Sequence, residues 1–380
     1  MPPRFRPLLM IVLLLACLPA FADPYVPPRH DWAQQTPDAA GFDPERLAAA
    51  VAWARANGEQ APADLRDALL AAFGPREPDY RILGPVGTRG TTNGMILRGG
   101  RIVAEWGDTA RPEMTFSVAK STLSTVAGLA HDDGLLPDPD QRAAGLVPGP
   151  WFVGAHNGAI TWTHLLQQTS DWRGSLWDIH DWADRPEGDD PANRPLQAPG
   201  TRYIYNDVRV NLLALALLEV QREPAPQLFR RRIMDPIGAS SSWRWQGYEN
   251  SWTTIDGLRM QSVSGGGHFG GGLVVSTRDL ARFGLLMQRD GDWDGRRLLS
   301  SEWIARATTP SPTKSDYGYL WWLNTGRNAI PAAPEHVFWA SGFGGNHVYV
   351  DREHDLVIVV RWTRDLAGVV ERVLLALRDR

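Results

Sequence analysis

Phe116-Ser117-Val118-Ala119-Lys120 sets a hydroxyl and an amine three residues apart where an apolar helical pattern begins. On a helix such a pair projects from one face. A serine hydroxyl is a poor nucleophile until a base takes its proton. Lysine can be that base only if burial and neighbouring charge bring its pKa from about 10.4 towards 7–8, roughly 4 kcal/mol of environment. Arginine cannot substitute, because it keeps its proton. The helix start adds positive dipole and free N–H groups beside Ser117, which favours a developing oxyanion. Lys120 and Lys314 are the only lysines among 39 Lys and Arg residues. Wherever charge alone is needed the chain uses arginine, so a lysine points to amine chemistry.

The bare pattern is weak, since Ser311-Pro312-Thr313-Lys314 also fits it. That copy sits between prolines and polar residues with no apolar run after it, and reads as a surface loop. Two further stretches strengthen the copy at 117. Pro199-Gly200-Thr201-Arg202-Tyr203-Ile204-Tyr205-Asn206-Asp207 supplies tyrosines. A tyrosine beside a Ser/Lys pair can relay a proton to a leaving group, although a lone tyrosine near a turn is ordinarily core. Phe338-Trp339-Ala340-Ser341-Gly342-Phe343-Gly344-Gly345 reads as a strand edge ending in glycine, where backbone can approach a ligand closely. An N–H there could pair with that of Ser117, each such donor contributing about 3–4 kcal/mol.

Other chemistries lack their residues. No Gly-x-Ser-x-Gly elbow and no His-Glu-x-x-His occurs, and Cys17 is the sole cysteine, so neither an α/β-hydrolase turn nor a zinc framework is present; no cofactor or metal is expected. His268, in Gly265-Gly266-Gly267-His268-Phe269-Gly270, is exposed by its glycines and could line a cleft, against an ordinary structural role. Trp172, Trp177 and Trp182 follow the Thr169-Ser170 turn, and Trp172 is a candidate substrate contact. Core packing is the default for any tryptophan.

The elements that must position these residues are legible in outline. Asp43-Pro44-Glu45 reads as a helix start, with the helix ending near Gly58, and a second helix covers about 63–73. Two apolar runs around Gly99-Gly100 predict a hairpin. An amphipathic helix is expected from Ser117 to about Ala130, and helical pieces over 161–168, 208–220 and 226–234. Residues 271–275 read as a strand, 277–288 as a helix, then strands at 337–340, 347–351 and 356–362, and a last helix over 366–377. This order predicts an α/β domain from 23–125 plus 261–380, with a mostly helical region, 126–260, inserted.

The N-terminus reads as an export signal. Arg4 and Arg6 precede an apolar run from Leu8 to Ala16, and Ala20-Phe21-Ala22 gives a cleavage site before Asp23. The run is about half the length of a membrane span, so no stable span is expected. A rival reading takes Leu14-Leu15-Ala16-Cys17 as a lipoprotein signal acylated at Cys17, although Leu15 is unusual there. A periplasmic or secreted location follows. The net charge of −4 gives no reason to expect a nucleic-acid partner.

Taken in order, the Ser-x-x-Lys, Tyr205-Asn206-Asp207 and Ala340-Ser341-Gly342 elements resemble the serine β-lactamase and penicillin-binding protein family. The resemblance is to its class C-like branch of esterases, D-aminopeptidases and 6-aminohexanoate-oligomer hydrolases. Supporting stretches are Ile160 to Ser170, Gly271 to Phe283 and Asp292 to Ser300. The resemblance implies an antiparallel sheet flanked by helices, an inserted helical domain and a site in the cleft between. It makes Ser117 the acylated nucleophile, Lys120 its base, Tyr205 the family tyrosine (with Tyr203 a poorer fit) and the N–H groups of Ser117 and Phe343 the oxyanion hole. Asp207, Ser341 and Gly342 become substrate contacts. Two departures stand out: Asp207 carries a carboxylate where an amide is usual, and Ala340 replaces the Lys or His that helps hold a β-lactam carboxylate. The expectation is an exported acyl-serine hydrolase of a small ester, amide or peptide, with poor penicillin turnover. A cell-wall DD-peptidase or β-lactamase is the alternative, and a binding or sensing domain of the same fold that has lost turnover is a third reading.

Overall fold

The computed structural model describes residues 25–77 and 79–378. The segment read as an export signal, with Cys17, lies outside the described residues.

Helix α1 (Pro44–Ala56) starts where Asp43 accepts from the N–H groups of Glu45 and Arg46, with proline at the first helical position. Helix α2 (Leu65–Phe73) is capped by Asp64, which accepts from Arg66 N. Strands β1 (Asn93–Arg98) and β2 (Arg101–Trp106) form the expected hairpin, Arg98 opposite Arg101 across Gly99-Gly100. Short strand β3 (Glu113–Met114) leads into helix α3 (Val118–Asp132). The middle of the chain holds helix α4 (Asp207–Gln221) and strand β4 (Arg244–Gln246). Strand β5 (Gly272–Val275), helix α5 (Thr277–Gln288), strands β6 (Trp322–Leu323), β7 (Phe338–Gly342), β8 (Asn346–Asp351) and β9 (Leu356–Arg361), and helix α6 (Leu366–Leu375) complete the frame.

The main sheet runs β6-β7-β8-β9-β1-β2, antiparallel throughout. Both faces are covered, which explains why β9 reads Leu-Val-Ile-Val-Val instead of alternating with polar residues. Ile96, Tyr349, Ile358 and Val360 pack with Phe42, Leu47, Val369 and Val373 of the terminal segments. Met95, Leu97, Val348, Val357 and Val359 point the other way, into the larger core with α3 and α5. A second sheet, β3-β5-β4, joins the strand before Ser117 to the one after the glycine run.

Helix α3 departs from expectation. Val118 through Ala130 are all buried, so α3 is a central helix with no wet face. Thr122 bonds within the helix, to Ala119 O at 2.7 Å, and Ser121 donates across the core to Leu320 O at 2.7 Å. Small residues read as a polar stripe in sequence, and they serve here as close-packing surface. The middle also holds less helix than expected. Residues 226–234 divide into a short helix (Ala225–Phe229) and a π turn (Arg230–Met234), and 167–206 is mainly a long irregular loop. Among the described residues no helix is long and apolar enough to cross a membrane.

Candidate active site

Phe116 lies in the left-handed region at φ 51°, unfavourable by about 1–2 kcal/mol for a residue with a side chain. Burial holds it there: its ring meets Phe343 edge-on at 5.1 Å and Trp362 at 6.3 Å. The kinked backbone turns Ser117 out at the head of α3. Strand β7 ends beside it. A Cβ on Gly342 would sit 2.0 Å from Thr115 O and 3.2 Å from Ser117 N, so only glycine lets the strand pass this close. Among the described residues, the N–H groups of Ser117 and Phe343 meet no protein acceptor. They flank the cavity together, an arrangement able to take a carbonyl oxygen.

Lys120 Nζ donates to Ser117 Oγ at 2.8 Å and to Asp207 Oδ1 at 2.5 Å. Lysine and aspartate side chains are both 2% exposed. A Cβ on Gly266 would stand 2.1 Å from Lys120 Nζ and 2.2 Å from Asp207 Oδ2, so the glycine run closes over this pair. Asp207 Oδ2 accepts the His268 N–H at 3.1 Å. Asn206 is spent on structure: its Oδ1 caps α4 at Arg209 N, and its Nδ2 donates to Asp181 O. The sequence puts the amide one residue early, and the carboxylate therefore faces the lysine.

That carboxylate reverses one expectation. Burial alone lowers the Lys120 ammonium and raises the Asp207 carboxyl, towards a neutral pair. Their mutual attraction outweighs it, holding Lys120 above and Asp207 below its ordinary value. In the resting site Lys120 is an ammonium, and the expected fall towards 7–8 does not occur.

The cavity, about 450 Å³, is lined by Ser117, Tyr203, Tyr205, Asp207, His268, Ser341, Gly342 and Phe343 among the residues singled out from sequence. Two cations lie against the Tyr205 ring, Lys120 Nζ 4.6 Å and the Arg185 guanidinium 4.9 Å from its centroid. The Tyr203 hydroxyl is buried without a hydrogen bond, and burial pushes it far up. Of the two tyrosines, Tyr205 stands beside the amine.

Trp172 is a correction. It is 2% exposed and donates from Nε1 to Trp151 O at 2.7 Å, inside the core and away from the cavity. The aromatic wall comes instead from Phe73, Phe116, Phe343 and Trp322. Lys314 is in a tight turn and paired with Asp316 at 2.6 Å, yet it reaches the rim, 5.4 Å from the Tyr203 ring and 5.8 Å from that of Trp322. His268 is both structural and cavity-lining. Its Nε2 is 2.7 Å from Glu77 Oε2 and 3.6 Å from Asp184 Oδ1. Burial opposes its charge, but those carboxylates prevail and raise its pKa. Glu77, Asp184 and His268 offer ligand atoms within 4.8 Å of one another, a set that sequence spacing could not reveal. As they stand they form a closed hydrogen-bonded ion cluster.

Residues 92–378 match the beta-lactamase family. The chain belongs to that family. Solved structures of beta-lactamase-family type share the fold at low identity. A family VIII carboxylesterase superposes with a TM-score of 0.56 at 20% identity, covering 84% of this chain and 98% of that one. A penicillin-binding protein homologue from Caulobacter crescentus gives 0.56 at 17% identity, over 88% and 97%. A beta-lactamase from Mycobacterium bovis gives 0.52 at 19%, over 81% and 98%. No curated protein matches the sequence. The mixed α/β fold with an antiparallel sheet is thus the one the motifs implied.

Proposed function

We propose that this beta-lactamase-family protein is an exported serine hydrolase that cleaves a small ester or amide through an acyl-Ser117 intermediate. The observation that carries the reading is the unbroken contact from Ser117 Oγ to Lys120 Nζ to Asp207 Oδ1 at the floor of an aromatic-walled cavity. Lys120 is charged at rest, so it accepts no proton until it has given one to Asp207. That transfer turns ammonium and carboxylate into amine and carboxylic acid with no change in net charge. A substrate filling the cavity displaces water and favours the neutral pair, because burial already pushes both partners that way. The amine then takes the Ser117 proton as Oγ attacks, and the N–H groups of Ser117 and Phe343 receive the oxyanion. Tyr205, beside the ammonium so formed, passes a proton to the leaving group.

The carboxylesterase neighbour and the absence of a cation at Ala340 favour an ester or simple amide over a penicillin. Wild-type protein mixed with p-nitrophenyl butyrate and quenched in acid is expected to gain one butyryl mass on the Ser117 peptide. Ser117→Ala should neither gain it nor turn over. A rapid wild-type turnover that leaves acyl on a different residue would defeat the assignment. Export rests on the segment 1–22, and N-terminal sequencing of secreted protein is expected to begin at Asp23; a start at acylated Cys17 would favour the lipoprotein reading.

A further inference from the structure

We infer that the mouth of the Ser117 cavity is an anion subsite built on Arg185, and that the substrate carries a carboxylate there. The inference rests on the hydrolase reading above and names its substrate class.

The charges lining or flooring the cavity are mostly spent on one another. Lys120 is paired with Asp207, and His268 with Glu77. Lys314 at the rim is paired with Asp316. Arg185 is paired with Asp184 as well, but through Nη1 alone; it lines the cavity, and its side chain is 44% exposed. Among the described residues its side chain makes one hydrogen bond, Nη1 to Asp184 Oδ1 at 2.5 Å. A guanidinium has five N–H donors, so most of this one's have no protein acceptor among the described residues.

Buried Asp184 accepts the Asp207 N–H at Oδ2 and Arg185 Nη1 at Oδ1, each at 2.5 Å, with the His268 imidazole 3.6 Å away. The bond also fixes the arginine. Two further features fix it. Its N–H donates to Glu77 Oε1 at 3.4 Å, and its backbone is held at φ 56°, in the left-handed region. Such a conformation is unfavourable by about 1–2 kcal/mol and persists where the surroundings dictate it. The guanidinium is then seated over the Tyr205 ring at 4.9 Å, on the tyrosine that also adjoins Lys120. A planar fork held this way suits two-point recognition of a carboxylate. Phe73, Phe343 and Trp322 supply apolar walls for the body of the same molecule.

The cation that holds the anion thus comes from the irregular loop before Tyr205, on a different segment from the β7 position occupied by Ala340. Around it the sequence reads Asp184-Arg185-Pro186-Glu187-Gly188, and Arg185 is one of 37 arginines with nothing in its spacing to mark it.

Matched esters test this. The first pair is mono-p-nitrophenyl adipate and its methyl ester, with the anion on the acyl side. The second is 4-acetoxybenzoate and its methyl ester, with the anion on the leaving group. Wild type is expected to favour the anionic member of at least one pair by about tenfold or more in kcat/KM. Arg185→Gln should reduce that ratio by roughly 10- to 100-fold, and Arg185→Lys, which keeps the charge but loses the fork, should restore part of it. Thermal melts establish that both variants fold. A binding arm separates this inference from the hydrolase reading: Ser117→Ala titrated with adipic acid monoanilide should bind it at least about tenfold more tightly than Ser117→Ala/Arg185→Gln does. If Ser117→Ala hydrolyses the esters normally, the hydrolase reading falls while this arm still judges Arg185. Equal rates within both pairs in wild type, or an anionic preference that survives in folded Arg185→Gln, would overturn the subsite.

Discussion

Lys120→Arg is expected to lower kcat by about 10²–10⁴-fold while the protein still folds. Arginine can keep the ion pair with Asp207 and the bond to Ser117 Oγ, so the electrostatics of the resting site are largely retained. What it cannot do is hand a proton to Asp207 and offer a lone pair, because its pKa stays above about 12. The substitution therefore separates charge from proton transfer. Some overpacking is expected, since the site is closed by Gly266, and about 1–3 kcal/mol of stability is the usual cost. Lys120→Ala is the harsher variant, leaving Asp207 buried without its cation at about 3–5 kcal/mol. Melts run beside the assay distinguish lost chemistry from lost fold. Lys314→Arg is the matched control: it keeps the pairing with Asp316, in a turn outside the Ser117 chain of contacts, and should behave as wild type. A folded Lys120→Arg protein with near-normal ester turnover would sink the proton route.

The frame and the chemistry were not equally legible in the sequence. Strands of β-branched residues, capped helix starts and the Gly-Gly hairpin carry local signals, and each appears close to its expected place. The Ser-x-x-Lys spacing is local too, which is why the pair could be read at all. The surroundings of that pair are not local. Glu77, Asp184 and Arg185 come from an irregular stretch after α2 and a long loop, with no periodicity to tie them to Ser117. Trp322 reaches the cavity from the end strand of the sheet. Trp172 was attractive because it follows a turn in a loop near the cleft, but a large apolar ring with one N–H is satisfied more fully in the core, and it lies there. Lys120 shows the same limit in energetic form. Burial would have lowered its pKa as the spacing argument required, and the sign was reversed by a carboxylate whose place against the amine depends on Asn206 being used as a helix cap.

Asp207 is where that reversal can be tested, through pH. In the wild-type protein the Lys120–Asp207 pair is competent while it carries one proton to share. It loses competence when acid adds a second, which happens at Asp207, whose pKa the ammonium holds below the carboxylate range. Activity should therefore persist far into acid, with the limb of kcat/KM low, until folding itself fails. Asp207→Asn removes the acceptor and the attraction together. Burial is then the dominant influence left on Lys120, and it lowers the pKa, opposed by Tyr205 and reinforced by Arg185. The amine becomes a base in its own right, but only above its own pKa, so the acid limb moves up. The sign is fixed by which group must stay unprotonated: a depressed carboxylate in wild type, a depressed amine in the variant, and the amine titrates higher. At pH 5 the variant should fall behind wild type by about 10²-fold or more, and near pH 9 the two should come within about tenfold. Melts should show the complementary trend, the variant gaining stability relative to wild type as pH rises and the buried amine sheds its charge. Superimposable acid limbs in wild type and Asp207→Asn would mean that Asp207 takes no part in moving the proton.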